Sequence, residues 1–201
     1  MALRAPPRHF SLLDLATVEV SATALYRISW HATGEPYFGT SGANRFDDPS
    51  RAKASRYGTC YFGLDLPTAM AETVLHDLVA TQGRFKVSQA EFSARFLVRF
   101  TGPKLVLANL TDAPLKALGG DGSISTELPP TMPQRWARAV HRHPEHVDGI
   151  LYKSRHLNAR DSVCVFDRAK HKLVPGHCIA LPRARGALDA TILLRVSLQF
   201  P

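Results

Sequence analysis

Residues 57–77 read YGTCYFGLDLPTAMAETVLHD, and their division decides the fold. TCYFGL is a compact apolar and aromatic run, the pattern of a buried strand. The continuation, DLPTAMAETVLHDLVATQG, is helical: Asp65 suits the cap, Pro67 the first turn, and Gly83 follows the end. On a wheel of the 67–80 helix, Met70, Ala71, Val74, Leu75 and Leu78 form the apolar arc. Glu72 and His76, four residues apart, share the opposite side.

Upstream, ALYRISW is strand-like, and residues 31–58 form a long connection rich in Gly, Ser, Asn and Asp. A loop of that length inside a compact domain is usually functional. Downstream, EFSARFLVRF and KLVLANL predict strands, TDAPLKALGG a short helix ending at Gly119, and MPQRWARAVHRH a second clear helix stopped by Pro144. VDGILYKS and DSVCVFD are β-rich runs, and HKLVPGH and ATILLRVSLQF are candidate edge strands. Strands dominate and helices do not alternate strictly with them. That predicts an α+β single domain with a mixed, largely antiparallel sheet and flanking helices. Residues 1–22 are expected to be an N-terminal arm with a short helix over SLLDLATV, and residues 23–201 the domain proper.

The 201 residues, 45% hydrophobic, suffice for one sizeable core. No stretch approaches the ~20 apolar residues that span a bilayer. The N-terminal residues lack a signal-peptide pattern, so a soluble, cytoplasmic protein is expected. Cys60, Cys164 and Cys178 are widely spaced and fit buried thiols in a reducing compartment. The net charge of +8 suits an anionic partner: a nucleic acid, a phosphorylated small molecule or an acidic protein.

Arg27, Arg45 and Glu72 stand in segments that otherwise read as structural. The bland accounts are an exposed strand arginine or one paired with Asp47 or Asp48, a loop salt bridge, and a solvated helix face. Together with Tyr61 they also match the needs of nicotinamide dinucleotide cleavage. Arginine forks bind pyrophosphate, an aromatic wall stacks on nicotinamide, and a carboxylate supports the oxocarbenium-like ribose of glycosyl transfer. The cationic nicotinamide leaves without needing an acid.

LYRIS at 25–29, NRFDDPS at 44–50, the 57–77 stretch and DGILYKSR at 148–155 resemble, in that order, the RES-domain family. The resemblance spans roughly residues 25–167. It implies a fold related to ADP-ribosyltransferases and an NAD-binding catalytic domain over 23–201. It also implies consumption of NAD by phosphorolysis, hydrolysis or ADP-ribosyl transfer, as a growth-arresting toxin beside an Xre-type antitoxin. By the same resemblance Arg27, Glu72 and Ser154 are catalytic, and Arg27, Arg45, Tyr61 and Ser154 contact NAD. NAD is then substrate, inorganic phosphate a candidate co-substrate, and no metal or resident cofactor is expected. A homo-oligomer within the complex is compatible with this. Many members carry Gly-Gly-Arg-Trp where this chain has GANRFDD, which bears on loop geometry near the phosphates.

Two competing readings come from the residues alone. HRHPEH offers His141, His143 and His146 with Glu145 and Asp148, but Pro144 interrupts the helix and no HExxH or Cys pair accompanies them. Arg135, Arg138 and Arg142 make a basic stripe for a nucleic-acid-binding module, without a helix-turn-helix, zinc-finger or RNP pattern.

Overall fold

The computed structural model describes residues 3–200. Among them the chain forms, in order, β1 (Thr17–Val20), β2 (Tyr26–Ser29), β3 (Thr59–Gly63), α1 (Leu66–Thr73), β4 (Phe85–Ser88), α2 (Gln89–Ser93), β5 (Phe96–Thr101), β6 (Leu105–Leu110), α3 (Asp112–Ala117), α4 (Thr131–His141), β7 (Gly149–Lys153), β8 (Asp161–Phe166), β9 (Val174–Ala180), α5 (Ala187–Leu193) and β10 (Val196–Gln199). Eight strands make one sheet in the order β1-β6-β7-β8-β3-β2-β5-β9. Only β6 and β7 run parallel in it; the other neighbours are antiparallel. A separate parallel pair joins β10 to β4. This is the α+β, mixed, largely antiparallel architecture the sequence predicts.

The sheet has a seam. β3 pairs with β8 from Thr59 to Gly63, and β2 pairs with β5 along its whole length. Between β2 and β3, however, the register consists of Tyr26 opposite Gly63. The two central strands meet there and then diverge. Backbone groups along a seam need other partners, and the side chain of Arg27 supplies one: its Nη1 donates to the Tyr61 carbonyl at 3.2 Å.

Side chains fill both faces. Phe10, Phe46, Trp136, Val140, Ile150 and Phe166 pack α4 and the N-terminal residues on one part of the sheet. Leu25, Phe62, Val98, Phe100, Leu107 and Val163 form a second cluster that crosses the seam, with Phe62 and Phe100 edge to face at 5.4 Å. A third cluster joins α1, α2 and α5 through Met70, Leu75, Phe92, Leu97 and Ala190.

Local expectations are corrected at several points. SLLDLATV is not a helix: a single 3-10 turn at Phe10–Leu12 leads into β1, which pairs with β6 as the outer strand of the sheet. Leu3, Phe10 and Leu15 are buried in the core, so the N-terminal residues complete the fold instead of hanging from it. The Glu72 helix stops at Thr73 and not near residue 80; Val74 N and Leu75 N both donate to Met70 O, a wrap that buries Val74 and Leu75 against the third cluster. EFSARFLVRF divides into the end of α2 and β5, and ATILLRVSLQF into α5 and β10. Cys178 is exposed on the edge strand β9, while Cys60 and Cys164 are buried as expected. Burial pushes the Cys60 thiol up to about 12, so it is an uncharged core residue.

Candidate active site

The seam opens into a cleft of about 1040 Å³, lined among others by Arg27, Arg45, Tyr61, Glu72, Tyr152 and Arg155. That is at the upper end of the ~300–1,000 Å³ typical of small-molecule sites. Each wall has a local cause. β3 ends at Gly63, where an added Cβ would lie 2.5 Å from Ala69 N and 2.9 Å from Asp65 O. Only glycine permits α1 to start so close to the strand. Asp65 then caps the helix, accepting from Thr68 N at 2.7 Å, and its other oxygen pairs with Arg160 at 2.6 Å. This ties the 154–160 turn to the base of α1, and Arg160 O accepts from Ser154 N at 2.8 Å.

Glu72 sits six residues after the first residue of α1, half-buried, on the cleft side. Ser154 Oγ donates to Glu72 Oε1 at 2.5 Å and also accepts from His156 N at 3.2 Å and Leu157 N at 3.1 Å. The serine is 1% exposed, stands behind Glu72 and is not part of the cleft lining. Of the two roles sequence assigns it, catalysis and NAD contact, its position fits orientation of Glu72 and leaves no direct surface for NAD.

Arg27 pairs with Glu35, Nε to Oε2 at 2.5 Å, and not with Asp47 or Asp48. Burial alone would raise the Glu35 pKa. The Arg27 charge, its hydrogen bond and Tyr37 N outweigh burial and hold the carboxyl below its ordinary range. With Nε on Glu35 and Nη1 on Tyr61 O, the guanidinium is fixed in the cleft wall.

Arg45 is placed by the loop before β3. Nη1 donates to the Glu127 carbonyl at 3.0 Å, and Arg45 makes no salt bridge among the described residues. Asp47 organises this loop: its Oδ2 accepts from Ser41 Oγ, Gly42 N and Asn44 N, and its Oδ1 from Thr59 Oγ1 and Tyr61 Oη. Tyr61 Oη also accepts from Phe46 N at 2.9 Å. Thus Tyr61 offers its ring to the cleft and uses its hydroxyl to anchor the residues beside Arg45. This loop is held by a buried aspartate. Burial first, and then the Arg155 charge, lower the Arg45 pKa, which reflects two guanidinium groups sharing one cleft.

Several residues of this site escape sequence reading. Glu35 and Asp47 come from the polar loop, where any carboxylate looks solvated. Arg155 directly follows Ser154. His76 and His156 come together with Glu72, their ligand atoms all within 4.8 Å of one another. Burial outweighs the pull of Glu72 on His156, Arg155 adds to it, and the imidazole is held below the ordinary histidine range.

The competing constellations do not converge. His141 stacks on Tyr57 at 4.1 Å, His143 Nε2 is 3.0 Å from Leu13 O, and His146 Nδ1 contacts Arg168. In the basic stripe, Arg138 is committed to Asp48 and Ser50, which leaves Arg135 and Arg142 exposed. No helix among the described residues is long and apolar enough to cross a membrane.

Fold and cleft together define an α+β protein with a ligand-sized site in a split sheet, lined by Arg27, Arg45 and Arg155 and by the carboxylates of Glu35, Glu72 and Asp77. Residues 24–185 match the RES domain, and the chain belongs to that family. The crystal structure of the M. tuberculosis MbcT–MbcA toxin–antitoxin complex is similar in fold, with a TM-score of 0.59 at 16% sequence identity, over 81% of this chain and 85% of that one. No curated protein matches the sequence.

Proposed function

We propose that the chain cleaves the nicotinamide–ribosyl bond of NAD and acts as the toxin of a toxin–antitoxin pair. The observation that carries this is the Glu72 carboxylate, oriented by Ser154, in a cleft shared with Arg27, Arg45 and Arg155. Membership of the RES domain family supports it, as does the likeness to a toxin–antitoxin complex.

In this reading the arginines receive the pyrophosphate and Tyr61 flanks the nicotinamide. The bond from ribose C1′ to the pyridinium nitrogen breaks, and its electron pair leaves with neutral nicotinamide. Positive charge develops on the ribose, where the fixed carboxylate of Glu72 lowers its energy. A water or phosphate oxygen then bonds to C1′, and water loses its proton to solvent. Glu72 is preorganised, so little reorientation accompanies the charge.

Incubating purified protein with NAD, with and without phosphate, and identifying products by mass tests this directly. Nicotinamide is expected in both, and a phosphorylated ADP-ribose only with phosphate if phosphate is the acceptor. Absence of nicotinamide release under both conditions would remove the proposal. The partner is expected to insert an acidic segment or its C-terminal carboxylate against Arg27 and Arg45. Inhibition by an Xre-type partner should then be relieved by excess NAD and weaken in Arg27→Ala.

A further inference from the structure

We infer that Glu72, His76 and His156 form a binding site for a borderline divalent transition ion, with zinc as the type case, whose occupation takes Glu72 away from the dinucleotide. That inhibitory consequence rests on the catalytic reading of Glu72; the binding site does not.

The geometry comes from two separate chain segments. Glu72 is near the C-terminal end of α1, His76 lies on the turn that follows, and His156 is on the turn after β7. Their candidate ligand atoms lie within 4.8 Å of one another. Tetrahedral zinc with bonds of about 2.0–2.1 Å needs its ligands about 3.3 Å apart, so closure requires movements of roughly 1 Å. His76 can supply most of this, because its side chain is 45% exposed and the helix has already ended at Thr73. The two imidazoles lie 5.3 Å apart between ring centroids, tilted by 58°.

One neighbouring contact presents a ligand atom, and the other has to be displaced by the metal. Ser154 holds Glu72 Oε1 and so presents Oε2, as hydrogen-bonded carboxylate ligands are usually held. Arg155 Nε lies 3.2 Å from His156 Nε2. Arginine is only a donor, so that nitrogen is unprotonated, and its lone pair reaches a metal once the Arg155 hydrogen bond is displaced. Two nitrogens and one oxygen select zinc, cobalt or nickel over magnesium or calcium, which want oxygen alone. Arg45 and Arg155 oppose the cation electrostatically, and this favours a reversible ion over a permanent structural one. The remaining positions on the metal would be filled by water.

Zinc occupancy and NAD turnover would exclude each other, because one carboxylate oxygen serves both. Zinc would then be an inhibitor of a reaction that itself needs no metal.

The test is calorimetric titration of the full chain with zinc, with magnesium as control and cobalt titration followed by its visible absorption. One zinc equivalent is expected at this site, with no magnesium heat. His76→Ala and His156→Ala should each weaken zinc binding by about 100-fold or more, beyond the ~10–100-fold that loss of a merely supporting partner costs. His143→Ala and His146→Ala should leave it unchanged. Inhibition by zinc, scored against each variant's own zinc-free rate, should be lost in His76→Ala. His76 is on an exposed turn, so that variant leaves the fold intact. Equal zinc affinity in wild type, His76→Ala and His156→Ala would overturn the site whatever the activity. Zinc binding with the expected losses in a protein that never releases nicotinamide would instead overturn the catalytic reading and leave the site standing.

Discussion

Ser154 Oγ and Glu72 Oε1 are 2.5 Å apart across 82 residues of sequence. The serine is fixed in turn by two backbone amides that donate to its oxygen, so the hydroxyl hydrogen has one direction to point. A carboxylate held this way has lost its rotational freedom before any substrate arrives.

Glu72→Gln is expected to lower kcat on the order of 100-fold or more, with a small change in thermal stability. Ser154→Ala should lower kcat by a smaller factor with little effect on KM. The double variant should be no slower than Glu72→Gln, because both act through one carboxylate. Nicotinamide release under saturating NAD measures all three. Additive losses would show that Ser154 acts separately.

Tyr61→Phe keeps the ring and deletes the hydroxyl that Phe46 N and Asp47 share. The loss should cost about 1–3 kcal/mol in folding free energy, the range for a buried group left unpaired. Since the same hydroxyl anchors the loop carrying Arg45, KM for NAD should rise more than kcat falls. Denaturant melts and steady-state rates separate these effects.

Arg27→Lys keeps the charge but cannot serve Glu35 and the Tyr61 carbonyl as a planar fork does. A rise in KM of about tenfold or more is expected, together with a lower melting temperature. Glu35 is held below its ordinary range, so its contribution to stability is present above the unfolded carboxylate pKa and is lost as pH falls through the folded value. Glu35→Gln should flatten that acid limb. A wild-type acid limb in Glu35→Gln would assign it elsewhere.

His141 gives a second pH signature. Burial, then the charge of Arg168, push its pKa down to about 4, well below the ordinary histidine value. Between about 6.5 and 4 the unfolded chain therefore binds a proton that the folded chain refuses. Stability should fall as pH drops through that window and level out below it. His141→Phe, which keeps the stack on Tyr57, should remove the slope when stability is followed by chemical denaturation across pH.

The strand, the cap and the helix of 57–77 were legible because each has a local cause: an apolar run, Asp65, Pro67. Arg27, Arg45, Glu72 and Ser154 were legible as a set only through the family pattern, since each has an ordinary explanation alone. What escaped was decided at long range. Nothing near Glu35 marks it as the partner of Arg27, and nothing near His156 brings it to His76. The early end of α1 goes with burying Val74 and Leu75 in the third cluster, which the wheel cannot show. β1 was hidden because its four residues, TVEV, acquire a role only when β6 lies beside them.

The seam between β2 and β3 has a mechanical meaning. On one face Phe62 and Phe100 clasp it; on the other it gapes, so the sheet is a wedge with its hinge at Tyr26 and Gly63. A dinucleotide lodged in the wedge would splint five strands to three, and its binding energy would appear as cohesion between them. Amide protons facing the gap should then exchange slowly with ligand and quickly without it. An inhibitor need not touch Glu72 at all: clamping or prying the two leaves changes the distance from Arg27 to Arg45, and with it the span that a pyrophosphate must fit.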